Sequence, residues 1–452
     1  MGARRVVVFV LFLACLGVST TAAEESRFRV LRDGKWGFID EAGDVVIPLQ
    51  YDYAFPFREG FTVVRRGEER DGKRAFIDPQ GTMVTDFIFD RAYHFQGGVG
   101  TGVIDGEWCV VSADGRILNE GNGYSWILDF HDGYAAALRR GDEGRLWGLI
   151  DAAGNEVLSI RYYGVRYAGD GLWWVGQGRY AWALYAPGEP TPEEFPFYST
   201  GTFDGDYAIV SVQDEGRRVF QLIGTDGVPV FRTVQAIRSY AEEIVCLVTS
   251  RGLVYLDSDG TQLNSEPFFS ASPFDGGIAR VSLGSNRSDQ RWGILRADGT
   301  YLVEPRYDFL GAFNNDGIAR YRVGDLFGFV GRDGVEITPP IYENTGEFSH
   351  GLCAVLSDAK WGYIDAAGTI AIPLLYDYAW DFRNGYAVVR LGDRETGERL
   401  FLDTSGAELS GDRYDWAYTF EEGLAHVATG DYDTGMFGYI NDQGEVIWPP
   451  SH

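Results

Sequence analysis

The chain has 452 residues, 45% of them hydrophobic and 15% aromatic, with 60 Gly and only 3 Met. Its formal charge of −27 repels phosphate backbones and excludes nucleic acid as a partner. This length fits two or three ordinary domains or one long repeat array, and glycine with aromatics favours short strands over a helical bundle.

The N-terminus has the layout of an export signal. Arg4 and Arg5 precede the apolar run from Val6 to Val18, and Ser19-Thr20-Thr21-Ala22-Ala23 supplies small residues for cleavage. Residues 1–23 are therefore expected to be removed, with Glu24 as the mature start and a periplasmic or secreted destination. The alternative is a lipoprotein anchored through Cys15. No later stretch is long and apolar enough to form a membrane-spanning helix.

From Phe28 the chain alternates as strands do. Phe28-Arg29-Val30-Leu31 turns at Asp33-Gly34 into Lys35-Trp36-Gly37-Phe38-Ile39-Asp40. Asp40-Glu41-Ala42-Gly43 is a tight turn, because Asp bonds N–H groups ahead of it and Gly tolerates positive φ. Val45-Val46-Ile47-Pro48 forms a further strand, and Tyr51-Asp52 opens the next unit. The phrase returns as Lys360-Trp361-Gly362-Tyr363-Ile364-Asp365, then Ile372-Pro373 and Tyr376-Asp377. Weaker copies bring the total to about twelve between residues 24 and 452, spaced by about 33 to 39 residues. The glycine after Trp would let another backbone pass closely.

The copies degrade between about 160 and 275. Pro187-Gly188-Glu189-Pro190-Thr191-Pro192 marks either a boundary between two halves or an elongated surface loop. Thr233 to Glu243 is the nearest approach to a helix. Cys109, Cys246 and Cys353 each sit in an apolar strand and are expected as small buried hydrophobes.

No catalytic constellation, metal site or cofactor is predicted. The histidines at 94, 131, 350, 426 and 452 lack ligand spacing, and His131 and His350 fall in turns. Gly98-Val99-Gly100-Thr101-Gly102 has no helix behind it to hold a phosphate. Carboxylates are the one ionisable group that recurs: Asp52, Asp90, Asp308, Glu343, Asp377 and Asp415 follow an aromatic at one position of the unit. They either cap turns or form an acidic ring for a cation or basic peptide. Trp36, Trp108, Trp147, Trp182, Trp292 and Trp361 share one position and suit a core wedge. Trp173, Trp174, Trp380 and Trp416 lie off it and are the candidates for exposed contacts.

The Lys-Trp-Gly-Phe-Ile-Asp phrase, its trailing Gly, and the Ile-Pro and Tyr-Asp that follow resemble the WG-repeat (KWG-repeat) family of bacterial proteins. The copies at Lys35 and Lys360 carry the resemblance, Trp147 and Trp292 fit it, and Phe327 and Phe437 keep its Gly. The resemblance implies repeat proteins that bind partners, with no shared catalytic residues.

The expected fold is all-β: tandem β-meander repeats forming propeller-like blades, with an open β-solenoid as the alternative. Twelve blades exceed the usual four to eight, so two propellers or one wide ring would be required. The expected function is an exported, non-enzymatic repeat protein acting as a binding or scaffold module for an unknown partner, protein or glycan. An envelope glycan-binding module is the alternative. A hydrolase drawing acids from several repeats is the third.

Overall fold

The computed structural model describes residues 26–141, 144–430 and 436–451. The expected signal segment 1–23, Cys15 within it, and His452 lie outside the described residues. All 42 elements among the described residues are strands, arranged in eleven antiparallel meanders that follow chain order. Thr233 to Glu243 holds the strand Ala236–Ala241 rather than a helix, because its Ile237 packs into a sheet-to-sheet core.

One unit shows how the sequence makes the fold. Lys35–Ile39 pairs with Phe28–Arg32 on one side and Val45–Tyr51 on the other. Asp33 and Gly34 both have positive φ (52° and 71°), the geometry that matches a two-residue hairpin to strand twist. At the next turn Asp40 Oδ1 accepts the N–H groups of Ala42 and Asp44, at 3.0 and 2.9 Å. The Asp365 turn repeats this with Ala367 and Thr369.

The glycine after Trp has a specific task. Trp36 pairs with Tyr51 and Phe38 with Ile47, so two steps on one strand face four on the other. The excess is accommodated by passing directly over Gly37, where a Cβ would lie 2.5 Å from Ile47 O and 2.8 Å from Leu49 N. Gly148, Gly293, Gly362 and Gly438 are crossed in the same way: a Cβ on each would lie 2.4–2.5 Å from a carbonyl oxygen of the crossing strand.

Each sheet buries both faces, because alternate side chains point to opposite neighbours. Phe38 packs against Ala54, Val64 and Ile77 of the following sheet, while Ile39 packs the other way. Twelve apolar clusters result, one at each junction between consecutive units. Eleven sheets carry twelve units because the seven-stranded sheet spanning 164–233 holds two. The proline-rich stretch 187–192 loops out of the middle of that sheet. The sheet continues across it through the pairing of Trp182 with Phe197.

The twelfth cluster joins the last unit to the first: Leu424 and Trp448 pack on Phe28, Val30 and Ile39. Tyr439 Oη donates to Arg29 O at 3.0 Å, and the Arg32 guanidinium lies 4.2 Å from the Trp448 ring centroid. The array is thus a closed, propeller-like ring. Closure is by face-to-face packing of the first and last units.

Candidate functional site

The recurrent acids are joints between units. Asp52 Oδ1 accepts from Lys35 Nζ of the preceding unit at 2.5 Å, and its Oδ2 accepts from Gly67 N in the next hairpin at 2.7 Å. Asp90 does the same with Lys73 and Asp105 N, and Asp377 with Lys360 and Gly392 N. Asp308 meets Arg291 at 3.0 Å and Gly324 N at 2.7 Å. Asp415 accepts from Gly430 N at 2.7 Å, with Glu398 where the lysine would stand. Glu343 is exposed and holds the position through its own N–H, which donates to Leu356 O. The lysine hydrogen bond, helped by the turn N–H, holds the carboxyls of Asp52 and Asp377 below the ordinary carboxylate range.

A second set of latches joins neighbouring turns. Glu59 accepts the N–H groups of Gly97 and Gly98, and Glu242 those of Gly276 and Gly277. His350 is used likewise: its Nε2 accepts from Gly385 N at 3.2 Å. Asp381 is a differently placed acid. Burial pushes its carboxyl up, and it accepts the Glu347 N–H at 3.0 Å. No signal in the sequence set it apart from the turn acids.

Two of the four candidate tryptophans are not surface groups. Trp173 and Trp174 are each 1% exposed. They are consecutive in a strand, so they point to opposite faces, and both faces are covered. Trp173 packs towards the preceding unit and Trp174 towards the following one. Trp174 Nε1 also donates to Gly201 O at 2.7 Å. Trp380 remains 37% exposed and meets Tyr378 edge-on, with ring centroids 4.5 Å apart. Trp416 is half-buried, with the Arg399 guanidinium 4.2 Å from its ring. The structure does not bring the four together.

Trp126 is the aromatic that pattern reading passed over. It is 44% exposed and borders a cavity of about 390 Å³ between the third and fourth units. Trp108 is sandwiched there, stacked on Tyr93 at 4.9 Å and 11° and tilted against Trp126 at 4.8 Å. Thr101, Gln96 and Asp129 supply polar atoms around the rings. Trp126 lay hidden because its strand, Tyr124–Ile127, is short and its unit lacks the Tyr-Asp opening.

Among the described residues no group of three His, Cys, Asp or Glu is placed to hold a metal ion. Cys109, Cys246 and Cys353 are buried and unpaired, and burial pushes the thiols of Cys109 and Cys246 up to about 12 and about 11. No helix among the described residues is long and apolar enough to cross a membrane.

Six stretches, 36–69, 75–108, 147–178, 292–327, 327–361 and 361–394, match the family described as WG containing repeat. The chain is a WG-repeat protein. No curated protein matches it. Similar solved structures include a eukaryotic initiation factor, at 10% identity and TM-score 0.37 over 87% of this chain and 97% of that one. Dipeptidyl peptidase 4 of Porphyromonas gingivalis aligns at 10% identity and TM-score 0.32, over 66% and 63%. The WD40 domain of Neurospora crassa Pan2 aligns at 10% and 0.22, over 50% and 85%. At these scores the likenesses carry no argument about the function of the WG-repeat ring.

Proposed function

We propose that this WG-repeat protein is an exported, non-enzymatic binding module, and that the ligand at its aromatic cleft is a glycan. The observation that carries the proposal is the Tyr93–Trp108–Trp126 stack beside a polar-rimmed cavity of about 390 Å³. A sugar ring offers an apolar face to an exposed indole and hydroxyls to the rim, and such sites are concave with a few placed polar groups. The non-enzymatic part is supported by where the recurrent acids are spent. Asp52, Asp90, Asp308 and Asp377 each have both oxygens engaged in joints.

The test is a glycan array followed by titration calorimetry. Trp126→Ala is expected to weaken the best neutral ligand about tenfold or more without moving the melting temperature. Absence of glycan binding, with capture of an envelope protein instead, returns the function to a protein scaffold. Export is tested by sequencing the mature N-terminus, which is expected to begin at Glu24.

A further inference from the structure

The junction between the seventh and eighth units differs from every joint built on the signature. Where Asp52, Asp308 and Asp377 stand elsewhere, this junction has Phe269. The positions are equivalent by backbone bonding: Asp52 N donates to Arg65 O, Asp308 N to Arg322 O, and Phe269 N to Ser282 O. Where Lys35 and Lys360 begin their strands, this junction has Gly252. Both partners of the joint are therefore missing. The hairpin glycine that the acid would cap, Gly284, is exposed, and the carboxylate beside it is Asp289 of its own loop, 3.0 Å from where a Cβ on Gly284 would stand.

A cavity of about 960 Å³ opens in that place, bordered by Phe269, Gly252 and Gly284. Arg238, Arg251 and Arg280 also line it, and no Asp or Glu does. In a chain of net charge −27 that is a local reversal of sign. Arg280 spends one nitrogen on Leu310 O at 3.0 Å. Arg238 and Arg251 are exposed, and neither side chain has an ion pair or hydrogen bond among the described residues. Asp289, beside the rim, is turned into its own loop, where it accepts the N–H groups of Ser285 and Asn286 and the Ser285 hydroxyl. Trp292 and Phe269, the latter 38% exposed, add aromatic faces.

We infer that this cleft binds a carboxylate-bearing saccharide, whose carboxylate takes the place of the missing joint acid. Guanidinium groups match carboxylates in a planar fork, and the rings accept the apolar face of a sugar. The overall negative charge does not forbid this. At 0.1 M salt the Debye length is about 10 Å, so a ligand in the cleft feels its arginines more than the distant acids. The site is separate from the Trp126 cleft and does not depend on it.

The test uses the full chain at 0.15 M salt. Calorimetry compares an oligogalacturonate, its fully methyl-esterified neutral form and inorganic phosphate. The acid is expected to bind at least about tenfold more tightly than the ester. Arg238→Ala with Arg251→Ala is expected to remove that preference, while the corresponding lysine pair retains part of it. Phe269→Asp, which restores the joint acid, is expected to abolish acid binding. All three replaced side chains are exposed, and unchanged melting temperatures confirm the fold. Trp126→Ala is expected to leave this binding intact. The inference is overturned by equal binding of acid and ester, by phosphate binding as tightly as the saccharide, or by no binding at all. It is also overturned if the arginine variants leave acid binding unchanged.

Discussion

Residues 36–69, 75–108, 147–178 and 292–394 match the WG repeat, whereas 179–291 lie outside every matched repeat. The two regions are nevertheless packed alike. Leu222, Ile237, Leu247 and Val254 form a junction core in the unmatched region as Phe38, Ile47, Val64 and Ile77 do in the matched one. What disappears from the unmatched region is the acid joint and the crossed glycine. Phe269 occupies the acid's position and keeps only its backbone bond. The signature is therefore a fastening laid over a packing scheme that works without it. Where the fastening is lost at Phe269, a cleft opens.

The largest effects should not distinguish the regions. Phe38→Ala should cost about 3–5 kcal/mol locally and Leu222→Ala about 2–5 kcal/mol, since both empty a junction core. Hydrogen exchange at the affected junction checks this, because a chain of this size need not unfold in one step. A much smaller effect at Leu222 would mean that the unmatched region is held differently.

The crossed glycine should separate the regions. A Cβ at Gly362 would lie 2.5 Å from Ile372 O and 2.7 Å from Pro373, backbone that cannot turn aside as a side chain would. Gly362→Ala should cost about 1–3 kcal/mol as overpacking. Ala183, at the same position of an unmatched unit, already carries that Cβ. There Ala183→Gly should cost only about 0.5–1 kcal/mol, through chain entropy. Melting temperatures of the two variants rank them.

The smallest effect belongs to the acid joint. Asp377→Asn should cost at most about 1 kcal/mol, because the Lys360 pair is exposed. Its pH dependence has a fixed sign. The folded carboxyl titrates below its unfolded value near 4, so the contribution is complete above that value and is lost as pH falls through the folded one. Acid titration of the wild type and of Asp377→Asn should converge at low pH. Phe269 has no such group, so its junction should show no matching acid sensitivity.

The local structure was legible because turn chemistry and strand period are local. Asp40 with Gly43 announced a turn, and Phe38 with Ile39 a strand, without reference to the rest of the chain. Closure was not legible. It joins Tyr439 to Arg29 through packing, and no paired phrase in the sequence marks two surfaces that meet across 410 positions. Trp173 and Trp174 were misplaced because a two-faced strand normally leaves one face to solvent, and this ring leaves neither. The arginine cleft was invisible for a third reason. Arg238, Arg251 and Arg280 are ordinary surface charges in sequence and become a cluster only when two units stack without their joint.

Ring closure is the claim on which the architecture rests, and hydrogen exchange on Trp448→Ala tests it most directly. Trp448 lies in the last strand, and its cluster partners Phe28, Val30 and Ile39 lie in the first two. A closed ring predicts lost amide protection in Phe28–Arg32 and Lys35–Ile39 as well as in the last unit. Loss confined to residues 416–451, with the first unit unchanged, would contradict closure.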